Sequence, residues 1–289
     1  MRIALINSGL GLLAPAAELH RLRPDADLVL APDPDGMPWG PRTPDDIAAR
    51  ALICARAAVA YQPDVLVMAC NTGSVHALDA LRAEFEPDIP VIGTVPAIKP
   101  AAAAHRNVAI WATVATTSSA YQRRLITEFG GSAAVAPVAC PGLADAVDAG
   151  DDAAANAAIA AAAAQTPAGC EAVVLGCTEY ELAAKRITLA VPGAITYGSA
   201  GAVAAQALRR IPAWSPATAI TSEPSPPSVR SPETSNPASP AHGTVTVLLS
   251  GRPSGLPPAA LKYPEGRLLA PLVRSGDSHS AETHSAVTH

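Results

Sequence analysis

The stretch VLVMACNTGS, residues 65–74, indicates the fold of this 289-residue chain. Five apolar residues lead into Cys70, and a short polar run follows. A short run that is apolar on both faces is typical of a strand buried in a parallel sheet. The stretch AVVLGCTEY, residues 172–180, repeats the pattern, with apolar residues leading into Cys177 and then Thr178. The chain therefore places a thiol at the end of a predicted buried strand twice.

The spacing of polar residues around these strands indicates two related halves. Residues 1–211 alternate strand-like and helix-like patterns. Ser8 follows the first apolar run and lies 62 residues before Cys70, whereas Thr113 follows a later run and lies 64 residues before Cys177. Offsets this similar predict an α/β fold with two pseudo-symmetric, doubly wound parallel-sheet domains. Functional groups lie beyond the carboxyl ends of such strands, so the two thiols are predicted to face a shared cleft.

Three regions are predicted along the chain. The N-terminal α/β lobe is 1–97 and the C-terminal lobe is 98–211, and the last helix of the C-terminal lobe can pack on the first lobe. From residue 212 onwards proline, serine and threonine dominate, so the tail 212–289 is predicted to be mostly disordered. Within it Thr244–Leu249 has the pattern of a strand, and the sequence leaves open whether 243–274 docks onto the core.

Composition and charge argue against several classes of partner. The formal net charge is −5, aromatic residues make up only 3% of the chain, and no basic cluster with interleaved aromatics occurs. These features disfavour nucleic acid and anionic membrane surfaces. The alanine-rich stretch 153–164 is too weakly hydrophobic to span a bilayer, and the start of the chain does not resemble a signal peptide. The expectation is a cytoplasmic globular protein without nucleic-acid or membrane partners.

The cysteines and histidines do not suggest a disulfide framework or a metal site. Five cysteines stand at irregular spacing without a CxxC pair, and four of the seven histidines lie after residue 241. We therefore expect no metal site. Cys54, Cys140 and Cys170 are interpreted as small buried structural residues.

The predicted position of the two remaining thiols suggests proton transfer. The pKa of a cysteine falls at a helix N-terminus, where both Cys70 and Cys177 are expected. Asn71, Thr72 and Thr178 add amide and hydroxyl groups beside exposed backbone N–H groups, which is a cradle for a carboxylate. Two thiols without a paired histidine fit removal of a proton from one face of a carbon and its return to the other face.

The sequence also resembles the glutamate racemases of the aspartate/glutamate racemase superfamily, over roughly residues 2–208. Six motifs occur in the family order: Asn7-Ser8-Gly9, Pro38-Trp39-Gly40-Pro41, Ala69-Cys70-Asn71-Thr72, Thr113 with Thr116, the Cys140-Pro141 segment that ends at Asp148 and Gly150, and Gly176-Cys177-Thr178. One such motif is weak, whereas six in register make the resemblance specific.

The resemblance implies a cofactor-independent amino-acid racemase with the substrate between two α/β domains. It implies that Cys70 takes the α-proton from the D-enantiomer and Cys177 from the L-enantiomer. Asp148 stands where the family has an acid that helps the second cysteine. The substrate-binding residues implied by the matched motifs and their neighbours are Asn7, Ser8, Trp39, Gly40, Asn71, Thr72, Thr116, Thr178 and Glu179. The partner implied is a small amino acid, and a homodimer is possible.

Two residues depart from the family pattern. Asn7 replaces an aspartate that contacts the substrate ammonium, and the expectation is that Asn7→Asp raises turnover. Glu179 replaces the histidine usual in glutamate racemases and resembles aspartate racemases instead. Its charge is expected to raise the pKa of Cys177. Trp39 is read as either a packing residue or a pocket wall, and Asp148 as either a solvated charge or a catalytic helper.

The leading interpretation is therefore a glutamate racemase that supplies D-glutamate for peptidoglycan. Aspartate racemase, or another superfamily member such as a hydantoin racemase, remains an alternative because of Glu179. A decarboxylase needs only one thiol and is disfavoured by the pair. From a different class, a non-catalytic binding protein that keeps the fold is the third possibility, with Asn7 and Glu179 as signs of a decayed site.

Overall fold

The computed structural model describes residues 1–211 and 242–274, which form two largely parallel sheets. The strands of the first sheet are β1 (Arg2–Asn7), β2 (Asp27–Pro32), β3 (Val65–Met68), β4 (Val91–Gly93), β9 (Val245–Leu249) and β10 (Arg252–Ser254). The strands of the second sheet are β5 (Asn107–Ala112), β6 (Ala134–Ala139), β7 (Ala172–Leu175) and β8 (Ile195–Tyr197). All pairs are parallel except β9 with β10.

The two sheets share one strand order. The first contains β2-β1-β3-β4 with β9 and β10 added beyond β2, and the second is β6-β5-β7-β8. In each sheet the cysteine-bearing strand lies one place from the edge, beside the strand that begins the lobe. Ile3 pairs with Val65 in the first sheet, and Val108 pairs with Ala172 in the second. The predicted pair of similar α/β halves is confirmed.

Helices connect the strands and cover the sheets. The helices are α1 (Leu13–Leu22), α2 (Pro44–Val59), α3 (Asn71–His76), α4 (Leu78–Phe85), α5 (Ile98–Ala104), α6 (Val114–Ser118), α7 (Ala120–Phe129), α8 (Leu143–Ala149), α9 (Asp152–Gln165), α10 (Ala184–Ala190), α11 (Ala200–Arg210) and α12 (Pro264–Leu269). Helix α2 begins where its sequence predicts, because the Thr43 hydroxyl accepts the Asp46 amide at 3.3 Å and proline occupies the first turn.

Helix α11 returns from the second lobe to the first, where it packs against α1. Its N-terminus is held by the buried Glu181 carboxylate, which accepts hydrogen bonds from the backbone N–H groups of Ser199 and Ala200. Arg210 at its other end lies 3.5 Å from Glu86 of the first lobe. The last helix of the predicted second domain thus ties the two lobes together.

Residues 242–274 are an ordered part of the first lobe, which differs from the expectation of a mostly disordered tail. Strand β9 extends the sheet beside β2, with Leu28 opposite Val245, and it covers the predicted strand at 244–249. Val245 and Val247 are buried, and the Thr244 hydroxyl donates to Asp27 at 2.6 Å. The free edge of β2 accepts this strand, which the tail's own composition does not reveal. The predicted disorder of 212–241 and 275–289 lies outside the described residues.

None of the helices in residues 1–211 and 242–274 has the combination of length and apolar character needed to cross a membrane.

Candidate active site

Cys70 lies immediately beyond the end of β3 and precedes helix α3. Its Sγ accepts a hydrogen bond from the backbone N–H of Gly73 at 3.5 Å, and the Ser8 Oγ lies 3.8 Å away. A Cβ at position 73 would lie 2.2 Å from the sulfur of Met68 and 3.0 Å from the Trp39 ring, so a larger residue there would have to displace these side chains. The thiol is therefore surrounded by hydrogen-bond donors at the start of a short helix.

Cys177 occupies the equivalent position beyond β7, but its neighbours differ. The residues after it, Thr178–Ala183, form a 3₁₀ helix rather than an α-helix. The Cys177 thiol donates to Oε2 of Glu179 at 2.8 Å, and the Thr178 hydroxyl lies 3.4 Å from the same oxygen. This thiol therefore contacts a carboxylate where Cys70 contacts an N–H group.

Both thiols line one cavity of about 420 Å³ between the lobes. The first lobe contributes one wall and the second lobe the other. The predicted site residues that line it are Ser8, Trp39, Gly40, Cys70, Asn71, Thr72, Thr116, Asp148, Cys177 and Glu179. The structure thus brings ten of the predicted residues together around a space suited to a small molecule.

Two predicted binding residues, Asn7 and Thr178, lie behind the cavity wall instead. Asn7 is fully buried, and its amide nitrogen donates to the Ala69 carbonyl at 2.6 Å and to the Thr178 hydroxyl at 3.2 Å. Its amide oxygen accepts from the Ser8 hydroxyl and from the Gly9 N–H. The Asn7 amide is thus engaged on both atoms and links the two lobes.

This geometry opposes the expectation that Asn7→Asp raises turnover. A carboxylate at position 7 has no hydrogen to donate and would face the Ala69 carbonyl oxygen across the present 2.6 Å contact. It would also bring a second buried charge near Glu179, since Thr178 contacts both side chains. An unpaired buried acceptor is costly, so the amide is the residue type that this position requires.

Trp39 is both a packing residue and part of the wall. Its side chain is almost completely buried in the core of the first lobe, yet it also borders the cavity. The indole N–H donates to Oδ2 of Asp33 at 3.0 Å, and the Asp33 carboxylate also accepts from Arg50. Trp39 is therefore a packing residue and a pocket wall at once, the two roles that the sequence left open.

Asp148 is held at the cavity by the first lobe. Its Oδ1 accepts the backbone N–H of Leu10 at 2.7 Å, and a Cβ on Gly9 would collide with the carboxylate. Burial, and then the charge of Glu179, raise the pKa of Asp148 well above its usual range. The carboxyl is thus favoured in its neutral form, in the cavity that Cys177 also lines.

Burial outweighs the helix N-terminus in setting the pKa of both thiols. Burial, with a contribution from Glu179, raises the pKa of Cys70 to about 11, although the Gly73 N–H and Ser8 act in the opposite direction. Burial and Glu179 raise the pKa of Cys177 well above its usual value. The expected lowering of the pKa at a helix start is therefore wrong for both cysteines. Burial favours the protonated form of each thiol.

The described residues contain no group of three or more His, Cys, Asp or Glu side chains arranged to hold a metal ion. The cavity offers hydroxyl, amide, thiol and carboxyl groups. Asp145 also borders it, one helical turn before Asp148, and was missed from the sequence. Its i, i+3 spacing from Asp148 on a predicted helix was the available signal.

The model of the Asp/Glu/Hydantoin racemases matches residues 11–207. The chain belongs to this family. Among curated members, the glutamate racemase of Pseudomonas putida strain W619 is 35% identical over 217 residues, covering 72% of this chain and 80% of that protein. The glutamate racemase of Herpetosiphon aurantiacus is 33% identical over 217 residues, with 73% and 85% covered. The chain is therefore a glutamate racemase-like member of a family of isomerases.

Solved racemase structures show the same fold. Escherichia coli glutamate racemase, in complex with L-glutamate and an activator, superposes with a TM-score of 0.71 at 23% identity, covering 90% of this chain and 91% of that one. A glutamate racemase isoform from Bacillus anthracis gives a TM-score of 0.59 at 27% identity, with 71% and 79% covered. The family resemblance stated from the motifs is confirmed.

Proposed function

We propose that the protein is a cofactor-independent glutamate racemase that interconverts L- and D-glutamate with two cysteines. The observation that carries the proposal is that Cys70 and Cys177, at equivalent strand ends of the two lobes, line a single cavity. Inversion of a stereocentre by two bases requires a base and an acid on opposite sides of one carbon. The pseudo-symmetric lobes supply one thiol each.

The reaction proposed is a proton exchange without any redox change. The thiolate of one cysteine takes the α-proton, the C–H bond breaks, and its electron pair remains on the α-carbon next to the substrate carboxylate. The thiol of the other cysteine then gives its proton to the opposite face. By the family resemblance, Cys70 is the base for the D-enantiomer and Cys177 for the L-enantiomer. Each turnover leaves the two sulfurs with exchanged protonation states.

The neighbours of each sulfur suit these roles. The Gly73 N–H stabilises the thiolate of Cys70. Glu179 stabilises the protonated form of Cys177 and is the group to which this proton passes when Cys177 acts as the base. Positive charge that the substrate ammonium brings into the cavity favours the thiolate form of either cysteine.

We assign the substrate ammonium to the side chains of Asn71 and Glu179, which border the cavity. Asn71 Oδ1 and Glu179 Oε1 have no hydrogen-bond partner within the described residues, although both side chains border the cavity. Asn71 is fixed by its own amide nitrogen, which donates across the lobes to the Gly176 carbonyl at 2.9 Å. We assign the substrate carboxylates to the hydroxyl groups of Ser8, Thr72 and Thr116 and to backbone N–H groups.

The physiological role follows the same proposal. D-glutamate made in the cytoplasm would feed peptidoglycan synthesis, the role that goes with the family resemblance. A homodimer stays a prediction. Aspartate racemase is the second candidate, and the carboxylate of Glu179 beside the second thiol is the observation that favours it.

The test is enantiomer-resolved chromatography of purified protein without added cofactor. We expect conversion of both L- and D-glutamate to the racemate, with aspartate converted at least about tenfold more slowly. Faster conversion of aspartate would assign the site to the second candidate. No conversion of glutamate, aspartate or a hydantoin would contradict a racemase and leave a binding protein.

A further inference from the structure

The C-terminal segment 242–274 contacts both walls of the active-site cavity from behind. This segment lies outside the 11–207 region that the racemase family model matches. It reaches the first wall through the turn between β9 and β10 and the second through the 3₁₀ helix Pro258–Lys262 and Tyr263. These contacts are separate in sequence and fall on different lobes.

Ser250 makes the first contact. It lies at the turn with φ +47°, a left-handed conformation that is unfavourable for a residue with a side chain. Three hydrogen bonds hold it there: its N–H donates to the Pro32 carbonyl at 2.9 Å, its hydroxyl donates to Asp33 Oδ1 at 2.8 Å, and that hydroxyl accepts the Asp35 N–H at 3.0 Å. The turn is therefore specifically fitted to the loop after β2.

Asp33 connects this contact to the cavity wall. Its buried carboxylate accepts from Ser250 on Oδ1 and from the Trp39 indole on Oδ2, and Arg50 donates to both oxygens. The Trp39 ring in turn borders Gly73, whose N–H donates to Cys70. A direct line of contacts thus runs from the C-terminal turn to the first thiol.

Tyr263 and Lys262 make the second contact. The buried Tyr263 hydroxyl donates to the Val147 carbonyl at 2.6 Å, and the Lys262 ammonium donates to the Gly150 carbonyl at 2.6 Å. These carbonyls lie at the C-terminal end of α8, where the Val147 carbonyl also accepts the backbone N–H of Gly150 at 3.0 Å. Helix α8 carries Asp145 and Asp148 on the second wall.

We propose that segment 242–274 is a brace of the active site, in which Ser250 positions Trp39 through Asp33 and Tyr263 positions Asp148 through the end of α8. The catalytic unit therefore comprises residues 1–211 together with a segment that follows a linker of different composition. The expected effects on turnover rest on the proposed racemase function. The positional part of the proposal, that the segment fixes the positions of Trp39 and Asp148, does not.

The test uses the full chain with Ser250→Ala and Tyr263→Phe. The matched control is Ser254→Ala, an exposed serine of β10 that has no side-chain hydrogen bond within the described residues. Trp39 emission is isolated by subtracting the same variant carrying Trp39→Phe, because the chain contains three tryptophans. Its quenching by acrylamide then reports the position of the wall whether or not glutamate is the substrate.

We expect Ser250→Ala to raise acrylamide quenching of Trp39 about twofold and KM for glutamate about three- to tenfold, the usual effect of one lost hydrogen bond, with kcat changed less than about twofold. Ser254→Ala should match the wild type. Tyr263→Phe removes a hydrogen bond to the end of α8, the helix that carries Asp148. It should therefore lower kcat about threefold and alter the pH profile of kcat without changing Trp39 quenching.

Unchanged quenching in folded Ser250→Ala, together with an unchanged kcat and pH profile in Tyr263→Phe, would overturn the brace. Absence of glutamate turnover in the wild type would overturn the proposed function instead. In that case altered Trp39 quenching in Ser250→Ala would still support the positional part.

Discussion

The two cysteine positions share a backbone conformation and differ in their neighbours. Cys70 has φ −138° and ψ 129°, Cys177 has φ −134° and ψ 137°, and each follows a fully buried four-residue strand. Cys70 accepts a hydrogen bond from an N–H group, whereas Cys177 donates one to a carboxylate. The repeated α/β lobe thus fixes where the sulfurs lie, and the residues after each strand set how readily each sulfur ionises.

The largest expected effect comes from removing either sulfur. Cys70→Ala and Cys177→Ala should each lower kcat/KM for glutamate at least about 10³-fold, since each removes an acid–base group that inversion requires. The equilibrium constant of a racemisation is one, so the loss should be equal from either enantiomer. Enantiomer-resolved progress curves measure it. A single variant that keeps full activity in both directions would contradict the claim that inversion requires both cysteines.

The next effect tests the carboxylate that only the second lobe supplies. Glu179→Gln keeps the shape but removes the acceptor of the Cys177 proton, so kcat/KM should fall about 10- to 100-fold. The matched change on the other side, Ser8→Ala, removes a neutral neighbour of Cys70 and should cost less than about tenfold. Steady-state kinetics of both variants provide the measurement, and equal losses would contradict the assigned difference.

Glu179→Gln should also alter ionisation at the first thiol. The Glu179 charge helps to raise the pKa of Cys70 to about 11, so its removal should shift thiolate formation to lower pH. The pH dependence of iodoacetamide labelling at Cys70, followed by peptide mass spectrometry, reports this shift. Cys54, whose raised pKa does not involve Glu179, is the internal control. Labelling of Cys70 that moves no more than labelling of Cys54 would exclude the proposed charge coupling.

A smaller effect is expected from the amide that joins the lobes. Asn7→Asp loses two donated hydrogen bonds and places a carboxylate near Glu179, so kcat/KM should fall about tenfold. Combining it with Glu179→Gln removes the second charge and should give a loss smaller than the product of the single losses. Higher turnover in Asn7→Asp would show that this position is not the neutral link between the lobes.

The smallest effect concerns stability. The folded-state pKa of Asp148 is raised, so the folded protein binds its proton more tightly than the unfolded chain, and stability is lost as pH rises through that pKa. Asp148→Asn keeps an acceptor for the Leu10 N–H without the charge. It should raise Tm by about 3 °C at pH 8 and leave it unchanged at pH 4. Thermal melts at both pH values decide this, and an equal shift at the two values would refute it.

The sequence predicts the elements of the fold that depend on a few neighbouring residues. The buried strands at 65–68 and 172–175, the capped start of α2 and the thiols at strand ends all follow from runs of a few residues. Strand β8 was missed because it has only three residues and its Ile195 is exposed. Docking of 242–274 was not predicted because it depends on the free edge of β2, more than 200 residues earlier.

The site was predicted less completely because tertiary contacts decide the roles of its residues. Asn7 resembles a binding residue in sequence, but its position between Ala69 and Thr178 makes it a link behind the wall. The pKa of each thiol depends on burial that no motif states. The contact of Ser250 with Asp33 joins residues far apart in the chain and has no sequence signature.

The most direct measurement is the deuterium content of both enantiomers early in a reaction started with protiated D-glutamate in D2O. If Cys70 and Cys177 stand on opposite faces of one α-carbon, the first L-glutamate formed carries solvent deuterium at the α-carbon, while the remaining D-glutamate keeps its hydrogen. Product that retains the original hydrogen, or equal labelling of substrate and product from the outset, would contradict transfer between two separate bases.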